Sequence, residues 1–202
     1  MNPAPRLLIL ASASKSRANL MRAAGLSFEV VPAHVDEDSI KLAMKAEGAS
    51  AADCAVALAE FKAGTISQRY PEALVIGADQ MLECEGVWFD KPTDMAGARN
   101  HLVTLRGKTH TLSNSAAVAL NGSPIWHHTS VARLTMRDFS DAFLDEYLGA
   151  VGPAATSSVG AYQLEGRGAQ LFSKVDGDFF TILGLQVLDV LAFLREHRMV
   201  GI

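Results

Sequence analysis

The 202 residues suffice for one sizeable domain or two small lobes sharing a core. A composition of 49% hydrophobic and 20% charged residues excludes wholesale disorder. A formal net charge of -4 argues against a broad nucleic-acid-binding surface, although a local basic pocket stays open, and no segment approaches the ~20 apolar residues of a membrane span.

In chain order, Arg6 to Ala11 reads as a first strand and Lys15 to Ala24 as a helix, with Ser14 as its N-cap and Gly25 as its stop. "FEVVPA" is a second short strand ended by Pro32, followed by the acidic patch Asp36, Glu37, Asp38. Ala51 to Gln68 is a helix with Cys54, Leu58, Phe61 and Thr65 on one stripe. "ALVIGADQ" is a short apolar strand that breaks at Gly77 and runs into Asp79, and "MLECEGVWFDKP" is a hairpin turning at Glu85-Gly86. Thr93 to Leu105 is a helix capped by Thr93 or Asp94. "THTLSNSAAVAL" and "WHHTSVARLTM" form a long antiparallel hairpin around "NGSP". Ser140 to Leu148 is a short helix, the glycine-punctuated stretch after it is strand and loop, and Leu185 to His197 is the terminal helix. The mixture predicts an α/β fold with antiparallel additions. Cys54 and Cys84 form no CxxC pair and no zinc-spaced cluster, which points to a reduced, cytosolic protein. Arg6 before "LLILASA" mimics a signal peptide, but the apolar run is too short for one.

Three places carry chemistry. Arg17 falls on the inward stripe of the first helix with Leu20, Met21 and Ala24, in a first turn that also holds Lys15. Cations there oppose the helix dipole by ~0.3–1 kcal/mol each, and a bound anion reverses that sign. Helix N–H groups, the Ser12 and Ser14 hydroxyls and the guanidinium then converge on phosphate oxygens. The bland alternative is an Arg17 that snorkels to solvent above a Ser14 cap. Asp79 closes a strand that, if parallel to the first, shares a crevice with Ser12; a carboxylate there holds a divalent metal or takes a proton from water, or else merely turns a loop. Glu37 offers a second metal ligand or a solvated acidic face. Lys91, stiffened by Pro92, and Lys62, beside the apolar stripe, either neutralise phosphate or lie exposed. The histidines, His127-His128 included, show no ligand spacing and read as strand residues, and the C-terminal glycines make neither GxGxxG nor a Walker loop.

In their joint order these pieces resemble the Maf family of nucleoside triphosphate pyrophosphatases, from about Leu7 to Leu194. "LASASKSR…LM…AGLSFEVVPAHVDE" is similar to the family opening, Ser-x-Ser-Pro-x-Arg through to Asp-Glu. "LAEFKA", "GADQ", "KP", "LRGKTH" and "GAYQLEGRGAQLF…GDFFTILGL" follow its later blocks. The resemblance implies one Maf-like domain over residues 1–202, a mixed sheet with two lobes around a central cleft, and cleavage between the α- and β-phosphates. It makes Asp79 the catalytic acceptor and lines the phosphate path with Ser12, Ser14, Arg17, Lys62 and Lys91. Glu37 assists a metal, Mg²⁺ or Mn²⁺, together with Asp79.

Family specificity positions fall on Ser16, Gln80 and Glu165. Gln and Glu at the last two, with no Arg at the first, lean towards the branch acting on 7-methylguanosine triphosphate, although Ser16 lacks that branch's tryptophan. A carboxylate suits a base bearing donors and positive charge. Lys15 replaces the motif proline, Ala57 a usual arginine and Gln186 the proline of the closing Gly-Leu-Pro; the first and third could loosen geometry, and the second removes a cation. The resemblance also implies a homodimer, no nucleic-acid or membrane partner, and a cytoplasmic house-cleaning role. The rival is a catalytically weak nucleotide-binding regulator of septum formation, favoured by the changes at Lys15, Ser16 and Ala57 and disfavoured by Glu37, Asp79 and Lys91.

Overall fold

A computed structural model of the chain describes residues 6–201. Its strands are β1 (Leu8–Leu10), β2 (Glu29–Val30), β3 (Leu74–Cys84), β4 (Val87–Phe89), β5 (Thr109–Leu120), β6 (Ser123–Met136) and β7 (Phe172–Asp176). Its α-helices are α1 (Lys15–Ala23), α2 (Glu37–Ala46), α3 (Ala51–Ser67), α4 (Met95–Leu105), α5 (Asp141–Val151), α6 (Phe179–Leu183) and α7 (Val187–Glu196). The sheet is mixed, as the α/β reading requires. The chain forms two compact units: the first from the segments up to Asp79, Asn114–Ser130 and from Gly184 onward, the second from Gln80–Ser113 and Val131–Leu183.

In the first unit β1 is parallel to β2 (Ile9↔Glu29) and to β3 (Leu8↔Leu74, Leu10↔Ile76). Ile9, Leu10, Leu74, Val75 and Ile76 are all buried, whichever face they point to, which suits interior parallel strands. Ser50 and Asp53 form a reciprocal capping box that starts α3. The helix then buries Cys54, Leu58, Ala59, Lys62, Ala63 and Ile66, while Phe61 is 55% exposed. The buried face is therefore rotated from the expected stripe. The cause is close packing: a Cβ on Gly77 would lie 2.2 Å from the Ala59 carbonyl oxygen and 2.7 Å from the Ala63 nitrogen. Only small residues fit where α3 crosses β3, so Phe61 turns out and Lys62 turns in. Gly77 permits this approach instead of breaking the strand.

β3 runs through Asp79 to Cys84 because its second half pairs antiparallel with β4 (Leu82↔Phe89, Cys84↔Val87), across the turn Glu85-Gly86, both at positive φ. The expected hairpin is present; the expected strand end is not. The acidic patch after β2 opens α2, a helix the sequence reading lacks: Asp36 accepts the Ser39 N–H at 3.1 Å, and Glu37 and Asp38 occupy the first turn, where the helix dipole favours acids. β5 and β6 join through Asn121-Gly122, both at positive φ, as an Asn-Gly hairpin turn demands, and the Ser67 hydroxyl accepts the Gly122 N–H at 3.0 Å. Within the second unit, α4 and α5 start at Asp94 and Ser140 caps, β6 pairs antiparallel with β7, and Leu82, Leu102, Leu105, Leu112, Leu134 and Leu144 share one core.

His110, on β5 in that core, is 1% exposed, and its Nε2 lies 2.7 Å from the Tyr162 hydroxyl. Burial pulls its pKa down from 6.5 to about 4. Between those values the unfolded chain binds a proton that the native ring refuses, so native stability is full above the unfolded pKa and falls as pH drops through the window. Urea unfolding at pH 7 and pH 5 is expected to show a loss of about 2 kcal/mol from this group, absent in His110→Gln. An identical pH dependence in both proteins would contradict it.

Candidate active site

β1 and β3 run parallel, and the Ala11 N–H donates to the Ile76 carbonyl at 2.7 Å. Ser12 follows directly on one strand, and Asp79 lies three residues on along the other. Ser14 caps α1 as expected, and the Arg17 N–H donates to its hydroxyl at 3.4 Å. The helix buries Ala18 and Met21, with Arg17 half-buried at the edge of that face. The guanidinium does not snorkel. Its Nε donates to the Gly184 carbonyl at 2.8 Å and its Nη1 to the Ser12 hydroxyl at 3.0 Å; that same hydroxyl lies 3.3 Å from the Ser14 N–H, which donates to it. Ser12, Ser14 and Arg17 are thus one hydrogen-bonded group. Gly184 sits at φ +109°, and a Cβ there would stand 3.6 Å from the Arg17 Nε. Burial lowers the pKa of Arg17, against which the charges of Asp79 and Glu37 pull it back. With a normal value far above neutrality, it remains a cation.

Lys62 is the other cation. Its turn of α3 faces β3, and the residue is 7% exposed. Its ammonium donates to Asp79 Oδ1 at 2.6 Å and stands 2.8 Å from Glu37 Oε1. Asp79 itself is 6% exposed. The structure therefore brings Glu37, its side chain 40% exposed, and Asp79 to one lysine. Burial opposes the charge on Glu37, but the Lys62 hydrogen bond and the charges of Lys62, Lys41 and Arg17 outweigh it, holding its pKa below the ordinary value. Lys41 lies 3.9 Å from Glu37, one helical turn on.

The remaining candidates divide by unit. Ser16 is half-buried on α1, in the first unit. Gln80, Lys91 and Glu165 belong to the second. The Gln80 side-chain nitrogen donates to the carbonyls of Thr181 and Ile182 at 3.0 and 3.2 Å; Lys91 and Glu165 are exposed. Lys15 is exposed too.

One residue escaped the sequence reading. Asn114, wholly buried on β5, has neither side-chain amide atom hydrogen-bonded among the described residues. The Gln186 side-chain nitrogen donates to the Asn114 carbonyl and, at 3.5 Å, to that of His128. The glutamine that replaces the motif proline therefore ties the start of α7 to β5 and β6. The available signal was a polar residue inside the apolar run "LSNSAAVAL".

Removing the ammonium strands a buried carboxylate next to a second one. Lys62→Met is expected to lower unfolding stability by about 2–4 kcal/mol, with part recovered in the double variant with Asp79→Asn. A urea double-mutant cycle checks this, and strict additivity would contradict the pairing.

Known proteins resemble this chain along nearly its whole length. The profile of the family described as Maf-like protein matches residues 7–197. A nucleoside triphosphate pyrophosphatase of Paramagnetospirillum magneticum is 54% identical over 94% of this chain and 97% of its own. One from Granulibacter bethesdensis is 52% identical over 95% and 97%. A 7-methyl-GTP pyrophosphatase of Rhizobium meliloti is 47% identical over 94% and 96%. The chain belongs to the Maf-like protein family.

Proposed function

We propose that this chain is a pyrophosphatase that hydrolyses a nucleoside triphosphate to the monophosphate and pyrophosphate. The observation that carries the reading is the meeting of Arg17, Lys62, Glu37 and Asp79 within one unit, from α1, α3, α2 and β3. A triphosphate brings roughly four negative charges, and a site with a half-buried guanidinium, a buried ammonium and two hydroxyls suits them.

The donor set also fits a divalent ion. Glu37 and Asp79 are hard oxygen donors, and Mg²⁺ or Mn²⁺ at phosphate sites uses one or two carboxylates with the substrate's own oxygens. When bound there, the ion would offset phosphate charge. Arg17 and Ser12 hold phosphate oxygens. Lys62 balances charge beside the reacting group. Asp79 uses Oδ1 for Lys62, so its Oδ2 orients a water towards the α-phosphorus. Phosphoryl transfer asks little covalent chemistry of the protein; positioning and charge carry the rate. For Lys91 at the leaving pyrophosphate, and for Ser16, Gln80 and Glu165 at the base, support comes from the family resemblance. A methylated guanine such as that of 7-methyl-GTP is the proposed base, supported by Gln80 and Glu165 and by the names of several relatives. No helix among the described residues is long and apolar enough to cross a membrane.

Pyrophosphate release is measured over a nucleotide panel that includes 7-methyl-GTP, dTTP and UTP, with Mg²⁺ or Mn²⁺. One nucleotide is expected to turn over, and Asp79→Asn to lower kcat by about 10²–10⁴-fold with its circular dichroism unchanged. Full activity in the variant would remove Asp79 from this role. Nucleotide binding without any turnover would favour the regulator over the enzyme.

A further inference from the structure

We propose that Lys62 is a built-in cation that keeps the Glu37–Asp79 pair closed to a free divalent ion, so that metal affinity is created by the bound triphosphate. This rests on the pyrophosphatase reading above and concerns the regulation of that same site. The ammonium already holds an oxygen of each carboxylate, at 2.6 and 2.8 Å, from a buried position. An incoming ion would find one oxygen of each carboxylate already taken by an ammonium whose side chain is 8% exposed, with Lys41 3.9 Å from the second oxygen of Glu37.

The charge count points the same way. Lys62, Lys41 and Arg17 act on Glu37, and Arg17 also feels Asp79, so three cations surround two carboxylates. Counted over these five groups the charge is net positive, which disfavours a free dication and favours a polyanion. The donor count agrees. Among the described residues no three of His, Cys, Asp and Glu come together in a way that could hold an ion, and a hard divalent ion seeks about six oxygens. Bound phosphates reverse the local charge, give Lys62 and Arg17 new anionic partners and supply the missing oxygens. By linkage, the ion and the nucleotide then strengthen each other's binding by the same factor.

The test uses the full chain and Mn²⁺ alone, with free Mn²⁺ followed by electron paramagnetic resonance. Lys62→Met is expected to bind Mn²⁺ at least about tenfold more tightly than the wild type. Lys62→Gln, which keeps a donor for the carboxylates and safeguards folding, should gain in the same direction. In a second titration, a non-hydrolysable α,β-methylene triphosphate should bind the wild type in chelator and bind more tightly as its Mn²⁺ complex. Equal Mn²⁺ affinity in wild type and both folded variants, where the wild type releases pyrophosphate from a nucleotide, would overturn this inference alone. Failure to release pyrophosphate from any nucleotide would overturn the reading beneath it.

Discussion

One buried ammonium organises the first unit. Lys62 is held between Glu37 and Asp79, residues from three different elements, and nothing about any one element accounts for its place. An isolated lysine under α3 would be costly to bury, and so would an isolated aspartate on β3. Each is tolerated because the other is there. The condition is geometric: α3 must lie almost against β3. Gly77 and the Ala59–Ala63 face meet that condition by leaving no room for a Cβ. The same closeness turns Phe61 outward, so an exposed aromatic and a buried lysine have one cause.

A second constraint acts at Arg17. The guanidinium is fixed from both sides, by the Ser12 hydroxyl just after β1 and by the Gly184 carbonyl just before α7. Distant parts of the chain are thereby joined at the N-terminus of α1, where the helix dipole and a fixed cation favour anions together. Gln186 extends the join by bonding to the carbonyls of Asn114 and His128.

Much of this was legible in the chain. The inward Arg17, the Ser14 cap, and the Glu85-Gly86 and Asn121-Gly122 turns follow from local rules: periodicity, capping and turn chemistry. The parallel pairing of β1 with β3 entered the reading only as a condition, which the structure meets. What was not legible depends on tertiary distance. Helix α2 was missed because none of its residues is buried and its acidic start reads as a solvated patch. The burial of Lys62 was obscured because Phe61 is the more obvious core residue by hydrophobicity. β3 was cut short because Gly77 and Asp79 are strand breakers on average, whereas here one admits a helix and the other meets a lysine. Asn114 was passed over because a polar residue in a strand usually faces solvent.

The central claim is that this cluster receives a triphosphate and directs water at its α-phosphorus. Turnover of the preferred nucleotide in ¹⁸O-enriched water, followed by mass spectrometry of both products, tests it most directly. The account predicts the label in the nucleoside monophosphate and none in pyrophosphate. Label in pyrophosphate, or stepwise release of orthophosphate, would contradict it.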